Sequence, residues 1–511
     1  MDSKLILASN IKLDKSYTNV LSYSTNQMLS LVESNKEYEQ WNYNNIDYDK
    51  GVIQVSTDYS VAIGCNYLAF QNPRHGNKWY FAFIDDVIYK SQNCCDVKFT
   101  IDVWSTFYDN WTAKPCFIVR EHVNNDTIGL HTVPESVTTG DYIVQGSYRI
   151  ANFLDNMKIV VSSNIDPDGQ KVYIQTYNGI PSGFAYFVYR LGNSTDMEHL
   201  VAHINNIYIH NGEINQMFLA PGWVAPGGSY ATESNTPKFL YDTVNNITGL
   251  GEISNQYVPK NNKLLTFPYC SYLATNLQGQ ECIIKPELWQ SKTETHDGTT
   301  YTGKIFKIGG CLTAGCSIRL WVCNYLEGDD NGVNCGKFPQ LNWSTDSYIN
   351  WLTQQGINQV TDIATNIGSN ALSGRENSTS VSGKISNFLI SNYQAHINSP
   401  QSHGNLNAGD VMFSSGLTQC FIIQKTIKRE FAKQIDDYFT RFGYKINETK
   451  TPNITGRAYW NFIEIGQDES IGFGSVPSKY MEIINNACRQ GVTIWHNHEN
   501  IGNFNLTNSI L

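Results

Sequence analysis

The chain has 511 residues, of which 41% are apolar, 13% aromatic and only 16% charged, and 36 Lys and Arg against 46 Asp and Glu leave a net charge of −10. So many aromatics exclude a disordered tail, and 39 Gly without a three-residue period exclude a collagen-like chain. An acidic chain with no Lys/Arg cluster also lacks the basic face that sequence-specific DNA reading needs.

At roughly 100–200 residues per domain, the length predicts about three or four domains. The N-terminal run from Met1 turns polar at Ser9 and has no secretory pattern, so synthesis in a cytosol is expected, with the cysteines reduced. Nowhere do roughly 18 apolar residues run together, the length of an ordinary membrane-spanning helix.

In chain order, the first third reads as strands: Gly51–Thr57, Trp79–Tyr89 and Val97–Trp104 are rich in β-branched and aromatic residues. Val97, Phe99, Ile101 and Val103 alternate with Lys98, Thr100, Asp102 and Trp104, the pattern of a half-buried antiparallel strand. Ser91–Cys95 has the turn residues of a hairpin connection. Further strands are predicted at Asp141–Tyr148, Met157–Ser163 and Lys171–Tyr177, then a short helix around Thr195–Asn206 and a Gly/Pro-rich boundary at Pro221–Gly228. Strands resume at Leu264–Tyr269, Glu281–Pro286, Lys304–Gly309 and Ser317–Cys323.

Between about Asn342 and Gly409 charge almost disappears. Two weakly amphipathic arms flank a Ser/Gly-rich tip at Ser373–Gly383, which reads as a long excursion from the domain. Beyond it come a strand at Cys420–Ile427 and a helix at Glu430–Phe442 with Phe431, Ile435, Tyr438 and Phe439 on one face. A second helix, Ser478–Gly491, closes on its glycine, and the apolar run Val492–Trp495 follows.

A search for chemistry finds little. There is no phosphate-binding Gly-rich loop, no nucleophile elbow and no His-Glu-x-x-His, so no catalytic, cofactor-binding or metal residue is assigned. His496 and His498 would share one side of a strand but lack further ligands. Gly328–Gly332 lacks the bidentate Glu of a calcium loop. Carboxylate pairs such as Asp85–Asp86 and Asp436–Asp437 are inevitable among 46 acids. The profile is that of an assembly protein and not an enzyme: mainly β with minor α, multi-domain, with one long loop inserted.

Several segments together resemble the tail-knob, or distal tail-tube, proteins of short-tailed phages infecting Gram-positive bacteria. They are Asn66–Asn72 with Lys78–Ile84, Ile101–Trp104 and Phe117–Val123; then Asn262–Tyr269; Phe338–Tyr348; Phe442–Asn447 with Asn453–Ile463; and Gly491–His496. In this order they span most of the chain from Asn66 to His498. The resemblance implies a tube-forming β-barrel built by ring oligomerisation, a homo-hexamer at the distal end of the virion tail. It would join other tail proteins, namely the proximal tube or lower collar and tip proteins, and pass double-stranded DNA without sequence-specific binding. It also implies a loop that plugs the lumen before ejection and then enters the host membrane.

In this sequence Asn407–Asp410 closes that loop, which maps to roughly Asp346–Ala408. Its candidate plug or membrane-active residues are Ile349, Trp351, Leu352, Ile357, Val360, Ile363, Ile367, Phe388, Leu389 and Ile390. The loop is shorter and more polar than the apolar loops typical of the group, which favours plugging over insertion, because polar arms in lipid leave groups unsatisfied. The expected divisions are a first tube-forming β domain at 1–135, an inserted β-rich domain at 136–235, a second tube-contributing β domain at 236–341, the loop at 342–410, and a C-terminal α+β part at 411–511. Trp79 and Trp460 are expected in the core. The competing reading is a module that binds host cell-wall glycans through exposed aromatics such as Tyr173, Tyr177 and Trp223.

Overall fold

The computed structural model describes residues 3–43, 46–48, 50–73, 76–150, 156–172, 176–177, 180–181, 184–190, 193–228, 231–234, 236–244, 257–277, 279–312, 317–328, 332–337 and 420–511. The loop residues singled out above, from Ile349 to Ile390, lie outside them, as does Tyr173. The chain divides into two units: unit 1 comprises Met1–Thr139, Pro259–Leu264 and Glu430–Leu511, and unit 2 comprises Gly140–Val258 and Leu265–Arg429. Both are mostly antiparallel sheet with few helices.

Unit 1 contains a seven-stranded sheet in the order Lys36–Trp41, Lys4–Ala8, Tyr67–Gln71, Trp79–Ser91, Cys94–Ile101, Val52–Val55, Ile46–Asp47. Its edge strands follow one another in sequence, and the sheet curls until its ends are tied by side chains. Gln40 and Ser56 exchange hydrogen bonds of 2.9 and 3.3 Å, and the Tyr38 hydroxyl donates to the Ser56 carbonyl at 2.8 Å. Both faces are buried: Leu5, Leu7, Leu68, Phe70 and Val97 pack on one side, and Ile6, Ala8, Tyr67, Phe81, Trp460 and Trp495 on the other. That explains why Lys4–Ala8 reads as a continuous apolar run without alternation.

Val97 and Phe99 face inward and Lys98 and Thr100 outward, as the alternation predicts, and Cys95 is buried while Cys94 is not. The strand stops at Ile101, however, and does not reach Trp104. Asp102 caps a short helix, Val103–Phe107, by accepting from the Ser105 amide, and the helix carries Trp104 into the core.

A five-stranded sheet joins the two ends of the chain: Asn19–Leu21, Val492–Trp495, Trp460–Ile465, Cys116–Glu121, Tyr444–Lys450. Trp460 is fully buried, and Trp79 is half-buried against the same cluster. The helix Arg429–Phe442 buries Ile435 and Phe439, with Phe431 and Tyr438 partly covered. It ends at Gly443, whose φ of +67° is accessible to glycine at no steric cost, and where a Cβ would collide with the Glu121 carbonyl. Gly491 ends Ser478–Gln490 in the same way at φ +91°.

Among its described residues unit 2 packs three four-stranded sheets, one of which is flanked by the helix Ser194–Ile209. Leu264–Tyr269 is not the strand its apolar residues suggest. Asn262–Leu265 is a 3₁₀ turn and the strand begins at Cys270, because Pro268 has no amide for a ladder. Of Lys171–Tyr177, only Thr176–Tyr177 is strand among the described residues.

Gly443→Ala should destabilise unit 1 by at least about 1 kcal/mol, from φ strain plus the backbone collision. Thermal unfolding of the full chain measures this, and an unchanged midpoint would contradict the assigned backbone geometry.

Candidate functional site: a buried clamp and an open sheet

Two features stand out from the rest of the fold. The first lies in unit 1, where the short segment Pro259–Leu264 returns between two excursions into unit 2. No strand of either sheet takes it as a partner among the described residues, so its backbone donors need side-chain acceptors. Two carboxylates, Asp436 and Asp126, supply them, and a third, Glu135, holds the side chain of Lys263. Asp436, fully buried, accepts from the Lys260 amide at 2.8 Å, the Asn261 amide at 3.1 Å and the Asn261 side chain at 2.7 Å. Asp126 accepts from the Asn262 amide at 3.0 Å and the Tyr444 hydroxyl at 2.7 Å.

Glu135 takes the Lys263 ammonium at 2.6 Å, the Lys445 amide at 2.8 Å and the guanidinium of Arg120. Burial raises the pKa of the Glu135 carboxyl, but Lys263, the Lys445 amide and Arg120 outweigh burial and hold it below the usual range. Arg120 also donates to the Gly443 carbonyl at 2.8 Å and lies 4.9 Å from the Tyr438 ring centroid.

Beside this clamp His122 is buried, with Nδ1 accepting from the Phe462 amide at 2.7 Å and Nε2 3.0 Å from the Thr440 carbonyl. With Nδ1 as acceptor, Nε2 carries the proton and the ring is neutral. Burial, with Arg457 nearby, lowers its pKa from 6.5 to about 3.

The second feature is a sheet of unit 2 in the order Tyr142–Arg149, Phe421–Ile427, Cys270–Thr275, Glu281–Ile284. Ile422, Tyr272, Ala274 and Ile284 turn one face into the core. Elsewhere it exposes apolar side chains at both edges: Tyr142 and Val144 on one, at 44% and 58% exposure, and Ile283 on the other, at 54%. With Phe267, Pro268 and Lys425 they line a cleft of about 430 Å³. Among the described residues no further strand pairs with either edge. Strong β formers at Tyr142–Val144 and Ile283 were visible in the sequence, but not their position at open edges.

The sequence-level chemical candidates separate into structural roles. His496 and His498 do not share a strand, which ends at Trp495. His496 bonds Ser22 and Asn461, and His498 accepts from the Lys12 amide. Asp85 bonds Thr100 and Asp86 pairs with Lys98 on the surface. Among the described residues no three His, Cys, Asp or Glu cluster as metal ligands, and no helix is long and apolar enough to cross a membrane. Trp223 is partly buried and packs against the core of unit 2.

The model for the N-terminus of caudoviral major tail proteins matches residues 1–112, and that for the C-terminal domain of tail knob protein gp9 of Bacillus phage phi29 matches residues 229–509. Tail knob protein gp9 of Bacillus phage PZA is 22% identical over 546 residues, covering 90% of each chain. Its counterpart in Bacillus phage phi29 is 22% identical over 551, also covering 90% of each. The solved tail knob protein gp12 of bacteriophage C1 shares the fold, with a TM-score of 0.60 over 100% of both chains at 14% identity. Fold and matches together define a β-built structural component of a phage tail. With more than half its length matched to the gp9 model, the chain belongs to the podophage tail knob proteins, virion components at the distal end of the tail.

Replacing Glu135 with Leu strands Arg120 and Lys263 as buried charges, with an expected cost of about 3–5 kcal/mol in unit 1. Denaturant unfolding reads this, and a loss below 1 kcal/mol would show that water reaches the clamp. For His122, the unfolded chain binds protons below pH 6.5 while the folded chain does not until about pH 3, so stability is full above pH 6.5 and falls as the pH drops through that window. The loss by pH 5 is roughly 2 kcal/mol. His122→Gln should flatten that slope between pH 7 and pH 5; an identical slope would assign it to other groups.

Proposed function

We propose that this tail knob protein forms the distal tail tube, six copies closing a ring whose lumen conducts DNA without sequence-specific binding. The observation that carries the reading is the open sheet. Two edges that no other described strand covers, bearing Tyr142, Val144 and Ile283, invite aggregation in a lone chain and are satisfied when each edge meets the opposite edge of a neighbouring copy. A net charge of −10 per copy, multiplied around a ring, keeps phosphates from adhering.

In this reading the parts 1–135, 236–341 and 411–511 build the tube, with 136–235 inserted. Residues 346–408 plug the lumen until ejection and afterwards contact the host membrane through Ile349, Trp351, Leu352 and their apolar companions. The protein acts as structure and conduit, without catalysis, and joins the proximal tube and tip proteins.

Electron microscopy with light scattering tests the ring and the plug together. The expected result is six-fold rings with lumenal density that disappears on deletion of 346–408. A double variant, Val144→Lys with Ile283→Lys, should leave folded monomers by placing like charges at the joint. Rings persisting in that variant would remove the open sheet from the assembly, and a wild-type monomer without a channel would overturn the conduit.

A further inference from the structure

A different sheet of unit 2 carries a surface that the assembly reading does not use. Its strands run Lys238–Thr243, Ile305–Gly310, Ser317–Val322, Gly332–Lys337. The register places Phe239, Gly309 and Arg319 in one row, and Tyr241, Lys307, Trp321 and Gly332 in the next. Ile308, Leu320 and Val333 turn the opposite face into the core.

Two glycines shape the outer face. A Cβ on Gly309 would run into the Trp321 ring and come within 2.8 Å of Phe239, and one on Gly332 would meet the Arg319 Nε at 2.6 Å. The rings and the guanidinium therefore lie down along the sheet. Lys307 sits 5.2 Å from the Phe239 ring centroid and 5.9 Å from that of Trp321, while Arg319 lies 5.4 Å from Trp321. The adjoining hairpin, Lys292–His296 and Thr299–Gly303, stacks His296 on Tyr241 at 3.7 Å and 2°. Phe239 is 38% exposed, and Tyr241, Lys307, Arg319 and Trp321 are half-buried, each keeping part of its surface accessible.

Aromatic rings belong on a buried face and cations on a wetted one, so interleaving both on an accessible face suits a ligand with flat apolar surfaces and spaced negative charge. Sugar rings present such C–H faces, and the planar fork of Arg matches phosphate oxygens. A nucleic acid would need a longer basic track than Lys307 and Arg319 provide on a chain of charge −10. The protein is a component of the distal end of the tail. We propose that this face binds a phosphate-bearing carbohydrate polymer of the cell surface, with sugar rings on Trp321 and Phe239 and phosphates on Lys307 and Arg319. The proposal rests on the distal position and not on ring formation.

Biolayer interferometry of the full chain against immobilised glucosyl-substituted poly(glycerol phosphate), with dextran and oligo-dT as comparators, tests it. Binding is expected to the substituted polymer above both comparators and to weaken with salt. Trp321→Ala should lower affinity roughly ten-fold, and so should the double variant Lys307→Gln with Arg319→Gln, which keeps the rings in place. Wild-type chain that ignores the polymer, or binds dextran equally, would overturn the proposal. Tighter binding to oligo-dT would reassign the face to nucleic acid. A changed oligomeric state in the folded double variant would make it a subunit contact and sink the glycan role.

Discussion

The architecture of unit 1 depends on carboxylates, Asp436 fully buried and Asp126 and Glu135 partly so, that accept from backbone amides and buried cations. The chain leaves unit 1 at Thr139, returns for Pro259–Leu264, and leaves again until Glu430. A strip so short builds no more than the start of the 3₁₀ turn Asn262–Leu265, yet Lys263 and Leu264 are buried. Asp126, Glu135 and Asp436 resolve the conflict by accepting its amides and its Lys side chain. A buried carboxylate is tolerated only when its charge is answered, and here each acid finds N–H or O–H donors, with Arg120 and Lys263 at Glu135. Three distant pieces of sequence thereby become one folded body.

The two units treat sheet edges differently. In unit 1 the curled seven-stranded sheet ties its ends through Gln40, Tyr38 and Ser56, leaving little edge to recruit another chain. In unit 2 the sheet around Phe421–Ile427 keeps both edges free among the described residues, with apolar side chains on them. A virion component needs both solutions, since a self-contained body holds its shape while an incomplete one seeks neighbours. The low charge and the aromatic content suit such interfaces, where Tyr, Trp and Arg are enriched and Lys and Glu depleted.

Much of the local structure was legible. The period-two alternation at Val97–Ile101, the apolar stripe of Arg429–Phe442 and the glycine ending Ser478–Gln490 all record backbone periodicity, and the structure places those elements where the pattern does. Misreadings arose where a side chain overrode the run. Asp102 caps a helix inside an apparent strand, and Pro268 denies a ladder to an apolar segment. The clamp was not legible at all, because Asp126, Glu135 and Asp436 look like any other acids in an acidic chain, and only partners up to 318 residues away distinguish them.

Family membership was within reach of the linear sequence, because turn, strand and aromatic signatures spread from Asn66 to His498 survive as ordered motifs. Composition likewise pointed to a β-rich assembly protein, since burial and propensity act locally. Which strands are neighbours, which edges stay open, which acids are buried and which aromatics lie flat beside cations were decided only in the tertiary structure. Those properties depend on pairings between residues hundreds of positions apart, and one-dimensional patterns carry no information about the partner.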